Sequence, residues 1–131
     1  MRPAIALALL LTTPAMAQEV DCTRPSGATA SLCSERELKR ADADLNTAYR
    51  SAREAALRFD AEFPDLPGTP MAAQLLDAQR RWIAFRDAAC SAEAKPLSLG
   101  GASYGATLNG CATRLTIRRA EDLRAMAKGL R

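Results

Sequence analysis

No histidine occurs anywhere in the 131 residues. That absence excludes Ser-His-Asp and Cys-His nucleophilic catalysis, and every metal site that needs an imidazole. An enzyme made from this chain would depend on carboxylates, lysine or cysteine. No C-x-x-C pair is present either, so zinc binding lacks its usual spacing. Aromatic residues are scarce at 5%, with a single tryptophan, Trp82. Bases and acids are mixed along the chain. No block of one sign argues for nucleic acid or an anionic membrane as partner. After residue 17 no run approaches the ~20 apolar residues of a membrane span. We therefore expect no catalytic residue, metal, cofactor or stable membrane insertion of the mature chain.

The N-terminus reads as a leader. Arg2 is a short positive region, "AIALALLL" (4–11) an apolar core too short to span, and "AMA" (15–17) a cleavage site. Residues 1–17 are the expected signal peptide, cut after Ala17, and residues 18–131 a single domain. Glu19 and Asp21 precede Cys22 where a lipid-attachment cysteine wants small and apolar neighbours. The expected location is periplasmic or secreted. Loss of Arg2 leaves 17 bases against 15 acids, a net charge of +2.

Four cysteines remain in the mature chain: Cys22, Cys33, Cys90 and Cys111. An even count in a small exported domain predicts two disulfides and no free thiol. Proximity in the chain favours Cys22–Cys33 and Cys90–Cys111; the crossed pairings are sterically open too.

Apolar residues recur at three- and four-residue steps in three segments. The first runs from about Ser31 to Phe63 and carries Leu38, Ala41, Leu45, Tyr49, Ala52, Ala56 and Phe59. "PDLPGTP" (64–70) breaks it. The second runs from about Met71 to Glu93, ended by "KPLSLGGAS" (95–103). The third runs from about Tyr104 to Leu130. No alternating strand pattern competes. The expected fold is all-α: a three-helix up-down-up bundle with all four cysteines at one end.

The stretch "AQRRWIAFRDAAC" (78–90) is unusual. At 100° per residue, Leu75, Gln79, Trp82, Arg86 and Cys90 fall within about 80° of one another. Polar Gln79 and Arg86 thus sit inside an apolar stripe. Arg119 does so in the third helix, between Leu115, Leu123 and Met126. The first helix brings Asp42, Asn46 and Tyr49 to its stripe's edge. A buried arginine needs a carboxylate and further acceptors. Asp42, Asn46, Tyr49 and Gln79 are the candidates, with Trp82 over the network and stacked by Arg86. Removal of Arg119 is expected to strand Asp42 or another acceptor inside the bundle. One reading makes this network structural, fixing which helix faces which. The other makes it an anion or sugar site lined by Arg86, Arg119 and Trp82.

These residues also carry a resemblance. "ADADLNTAY" (41–49) supplies Asp42, Leu45, Asn46 and Tyr49. "AQRRWIAFRDAAC" supplies Gln79, Arg80, Trp82, Phe85, Arg86, Asp87 and Cys90. "LTIRRAEDL" (115–123) supplies Thr116, Arg119 and Leu123. Together with Cys22, Cys33, "GGAS" (100–103) and Cys111, they resemble the LprI-type lysozyme-inhibitor family over about residues 21–124. The resemblance implies a non-catalytic protein that binds and blocks a c-type lysozyme. That class of target has a cleft with two catalytic carboxylates and is typically basic. A rigid loop presenting donors fits such a cleft. "KPLSLGGASYG" (95–105) is the candidate, with Lys95, Ser98, Ser103 and Tyr104 as donors and Gly100 and Gly101 allowing close approach. A net charge of +2 gives no long-range attraction to a basic target.

Overall fold

The computed structural model describes residues 20–97 and 102–130; the leader, residues 1–17, lies outside them. Among the described residues all regular structure is helical. The elements are α1 (Ala28–Glu62), α2 (Met71–Ala94), a single 3-10 turn at Lys95–Leu97, and α3 (Ala102–Gly129). No described helix is long and apolar enough to cross a membrane.

α1 stops at Phe63, whose N–H still donates to Phe59 O, because Pro64 cannot continue the ladder. α2 begins after Pro70, which offers no capping side chain. Its cap comes instead from α1. The N–H groups of Met71 and Ala72 donate to the two carboxylate oxygens of Asp60, at 2.7 and 2.9 Å. One carboxylate thereby satisfies two orphan donors and sits at the positive end of the helix dipole. From sequence this carboxylate looks like solvated surface, since its role depends on where α2 starts in space. Asp60→Ala should destabilise by about 1–2 kcal/mol. A urea midpoint unchanged from the parent would show that water replaces the cap without loss.

α1 and α3 form the most extensive of the three helix pairings. Both present small residues where they meet. Ala48, Ala52, Ala55 and Ala56 of α1 and Ala120 and Ala127 of α3 are buried, and Leu45, Leu75 and Leu123 fill the same cluster. Short side chains let the two backbones approach closely. Gly105 shows the limit: a Cβ there would stand 2.7 Å from Ser31 Oγ. That glycine, on the overlap of the candidate loop and the expected third helix, is helical, as are Ser103 and Tyr104 before it. α3 begins at Ala102, two residues before its expected start near Tyr104.

The disulfides take the pairings local in sequence, Cys22–Cys33 and Cys90–Cys111. Cys90, Cys111 and Ala112 form a second buried cluster, against which Leu38, Leu108 and Leu115 pack. This cluster ties the end of α2 to α3 and to the early part of α1. The second and third helices thus share one disulfide at the end where the first begins.

Candidate functional site

Descending α2 from Cys90, each turn brings one inward polar residue to a defined level. Arg86 comes first. Its Nη1 donates to Asp42 Oδ1 at 2.9 Å and to Thr116 Oγ1 at 3.1 Å. Its Nε donates to Asp87 Oδ1 at 2.9 Å. One guanidinium therefore joins all three helices. The Arg86 side chain is 13% exposed, whereas that of Asp42 is 42% exposed. The pair lies at the boundary between core and solvent, and Thr116 beneath it is fully buried.

The next level holds Gln79 and Arg119. Arg119 Nε donates to Gln79 Oε1 at 3.0 Å, and Gln79 is buried. Trp82 lies between the two levels. The Arg86 guanidinium stands 5.4 Å from its ring centroid and that of Arg119 5.9 Å. Both distances are within reach of cation–π attraction. The sole tryptophan thus links two arginines that do not share an acceptor.

Of the four candidate acceptors two take an arginine: Asp42 accepts from Arg86 and Gln79 from Arg119. The other two need correction. Asn46 is exposed, and Tyr49 packs on the core with its buried hydroxyl unpartnered. Neither accepts from an arginine. Asp87, named in the sequence only as part of the 78–90 motif, is the added partner, directly after Arg86 in the chain.

Loss of Arg119 leaves the buried Gln79 carbonyl without a donor. Arg119→Ala should therefore cost about 1–3 kcal/mol. Arg81→Ala should stay within about 0.5 kcal/mol. Arg81 is exposed on α2, where its hydrogen bond to Asp77 and their charge attraction raise its pKa. Equal denaturation midpoints for the two variants would mean that the Gln79–Arg119 contact carries no stability.

A groove of about 270 Å³ opens beside the Arg86 level, lined by Leu38, Arg86, Cys90, Tyr104, Leu108 and Asn109 among others. Trp82 does not line it. Of the residues expected in a donor loop, Lys95 is exposed in the 3-10 turn, Ser103 is exposed on α3, and Tyr104 is half-buried in this groove. Ser98, Gly100 and Gly101 lie outside the described residues. Among the described residues no group of three or more metal-ligating side chains comes together.

Three helices, two disulfides and an internal arginine–tryptophan network define a small disulfide-stapled helical protein of the extracytoplasmic type. The family model for the lysozyme inhibitor LprI matches residues 22–123. The chain belongs to that family. An uncharacterized protein of Rhizobium meliloti (strain 1021), R02472, is 34% identical to it, over 95% of this chain and 92% of that protein. The crystal structure of a DUF1311 family protein (PP0307) from Pseudomonas putida KT2440 is similar too. It has a TM-score of 0.63 and 25% identity, and the match covers 78% of this chain and 94% of that one.

Proposed function

We propose that this is a periplasmic or secreted protein, exported by a signal peptide at 1–17, that blocks a c-type lysozyme by binding and performs no catalysis. The observation that carries the reading is the match to the lysozyme inhibitor LprI model across residues 22–123. The interior supports it: both guanidiniums of the network already have protein partners, as a structural network requires. In the form read from sequence, Lys95, Ser98, Ser103 and Tyr104 present donors to the cleft carboxylates, and Gly100 and Gly101 allow close backbone approach.

The test is lysis of bacterial cell walls by a c-type lysozyme, with and without the protein. Inhibition at a one-to-one ratio supports the reading; unchanged lysis at large excess removes it. The combined Lys95→Ala, Ser103→Ala and Tyr104→Ala variant asks whether the disulfide end makes the contact. A second reading, an envelope ligand-binding module, draws on the groove beside Arg86. It predicts that a bound small anion or sugar raises the melting temperature, and that Tyr104→Ala removes that rise.

A further inference from the structure

We infer that Cys22 is a thiol-exchange site: a small thiol or dithiol entering the depression at the start of α1 attacks Cys22 and displaces Cys33, while the Cys90–Cys111 bond stays closed to it. This reactivity is independent of what the protein binds.

The two bonds sit in opposite surroundings. Cys22 is exposed, in the arm of residues 20–27 that precedes α1. Its partner Cys33, on the second turn of α1, is 3% exposed. A depression of about 580 Å³ lies over the bond, lined by Asp21, Cys22, Cys33, Arg36, Glu37 and Arg40 among others. It is wide enough for a small peptide thiol. Two arginines balance two carboxylates there, so neither a neutral nor an anionic thiol is turned away. Asp21 accepts from the N–H and the hydroxyl of Thr23, at 2.9 and 2.8 Å, and this turn fixes Cys22 at its centre. Cys90 and Cys111 are 1% and 2% exposed, with Leu38, Leu108 and Leu115 packed around them. Cys90 reaches the floor of the groove beside Arg86, but that exposure leaves no line of approach to its sulfur.

Exchange begins with a thiolate attacking one sulfur of a disulfide, so access decides which bond reacts and at which end. Exposed Cys22 admits that approach and buried Cys33 does not. The incoming sulfur bonds to Cys22 Sγ, the Cys22–Cys33 bond breaks, and its electron pair leaves on Cys33 Sγ, which takes a proton from water. With a monothiol the product is a mixed disulfide on Cys22 and a free thiol at Cys33. With a dithiol, the second thiol attacks its own bonded sulfur and expels Cys22 as thiolate. Two electrons have then passed: the dithiol is oxidised to a disulfide and both cysteines are reduced.

The bundle does not depend on this bond for its packing. Among the described residues, none before Leu38 belongs to either core cluster or packs on it. Besides the disulfide, Arg36 Nη1 ties the arm to α1 by donating to Val20 O at 3.3 Å. Exchange therefore switches the arm between a bonded and a released state on an unchanged bundle.

The experiment treats the native protein with dithiothreitol or with glutathione, without denaturant. Iodoacetamide traps the thiols at early times, and peptide mass spectrometry locates them. Dithiothreitol should open Cys22–Cys33 about a hundredfold or more faster than Cys90–Cys111, because a buried bond waits for local opening. Helical dichroism should persist. Glutathione should be found on Cys22, with iodoacetamide on Cys33. Leu123→Ala lowers stability from a core cluster that excludes the bond; the first bond should open at the parental rate in it. Equal rates for the two bonds overturn the inference. So does a first-bond rate that rises in Leu123→Ala, since attack would then require unfolding. Glutathione on Cys33 in place of Cys22 overturns the assignment of the attacked sulfur.

Discussion

Cys90→Ala with Cys111→Ala is expected to cost about 4–5 kcal/mol, against about 3 kcal/mol for Cys22→Ala with Cys33→Ala. Chain entropy alone makes the two pairs nearly equal. The bonds span 21 and 11 residues, and the logarithm of that ratio is worth only about 0.6 kcal/mol. Burial separates them. Cys90 and Cys111 are 1% and 2% exposed, and Leu38, Leu108 and Leu115 pack around them. Two missing sulfurs there leave a void among all three helices. Cys22, by contrast, is exposed. α2 is also the helix with the fewest buried residues: Leu75, Gln79, Cys90 and Ala94. Releasing its last turns frees the helix with least else to hold it. Guanidinium denaturation of both double variants checks this; midpoints within about 0.5 kcal/mol of each other would show that sulfur packing adds nothing beyond the covalent constraint.

Arg86→Ala should cost about 3 kcal/mol, at the lower end for breaking a buried ion pair because Asp42 is partly solvated. The substitution removes three hydrogen bonds, strands the fully buried Thr116 hydroxyl, and takes a guanidinium off the Trp82 face. Arg86→Lys should restore less than half. An ammonium can reach Asp42, but it cannot bond two acceptors from one planar edge while stacking on the indole. Trp82 reports the change directly, because its emission should shift in Arg86→Ala at temperatures where the far-ultraviolet dichroism is still parental. A parental emission spectrum together with a parental melting temperature would show that the network is dispensable.

The helices and their order were readable because each depends on local pattern; the cysteine pairing was only favoured by proximity, with the crossed pairings left open. Three- and four-residue spacing marks the helical faces, and the prolines at 64, 67 and 70 mark the break. The polar stripe of α2 was equally visible, since Gln79 and Arg86 interrupt an apolar face. Partner choice was not. It turns on the reach of one side chain: Arg86 crosses to Asp42 and Thr116, and that leaves Arg119 to Gln79. Asp60 was misread because a cap donated across a loop has no signature in α1 itself. Asn46, by periodicity on the edge of its stripe, falls on the solvent side of that edge. The start of α3 was legible to within two residues of Ala102, whereas the reason for Gly105 was not: it admits Ser31 of α1.

The pairing of consecutive cysteines has a consequence for how the chain matures. A polypeptide crossing a membrane from its N-terminus delivers Cys22 and Cys33 together, with nothing else to oxidise. Only later do Cys90 and Cys111 follow, when the first two sulfurs are already consumed. An oxidase that joins cysteines in order of arrival therefore produces the native bonds directly. For a chain exported as proposed above, no isomerase is needed to correct the bonds, because their covalent order is the order in which the cysteines arrive.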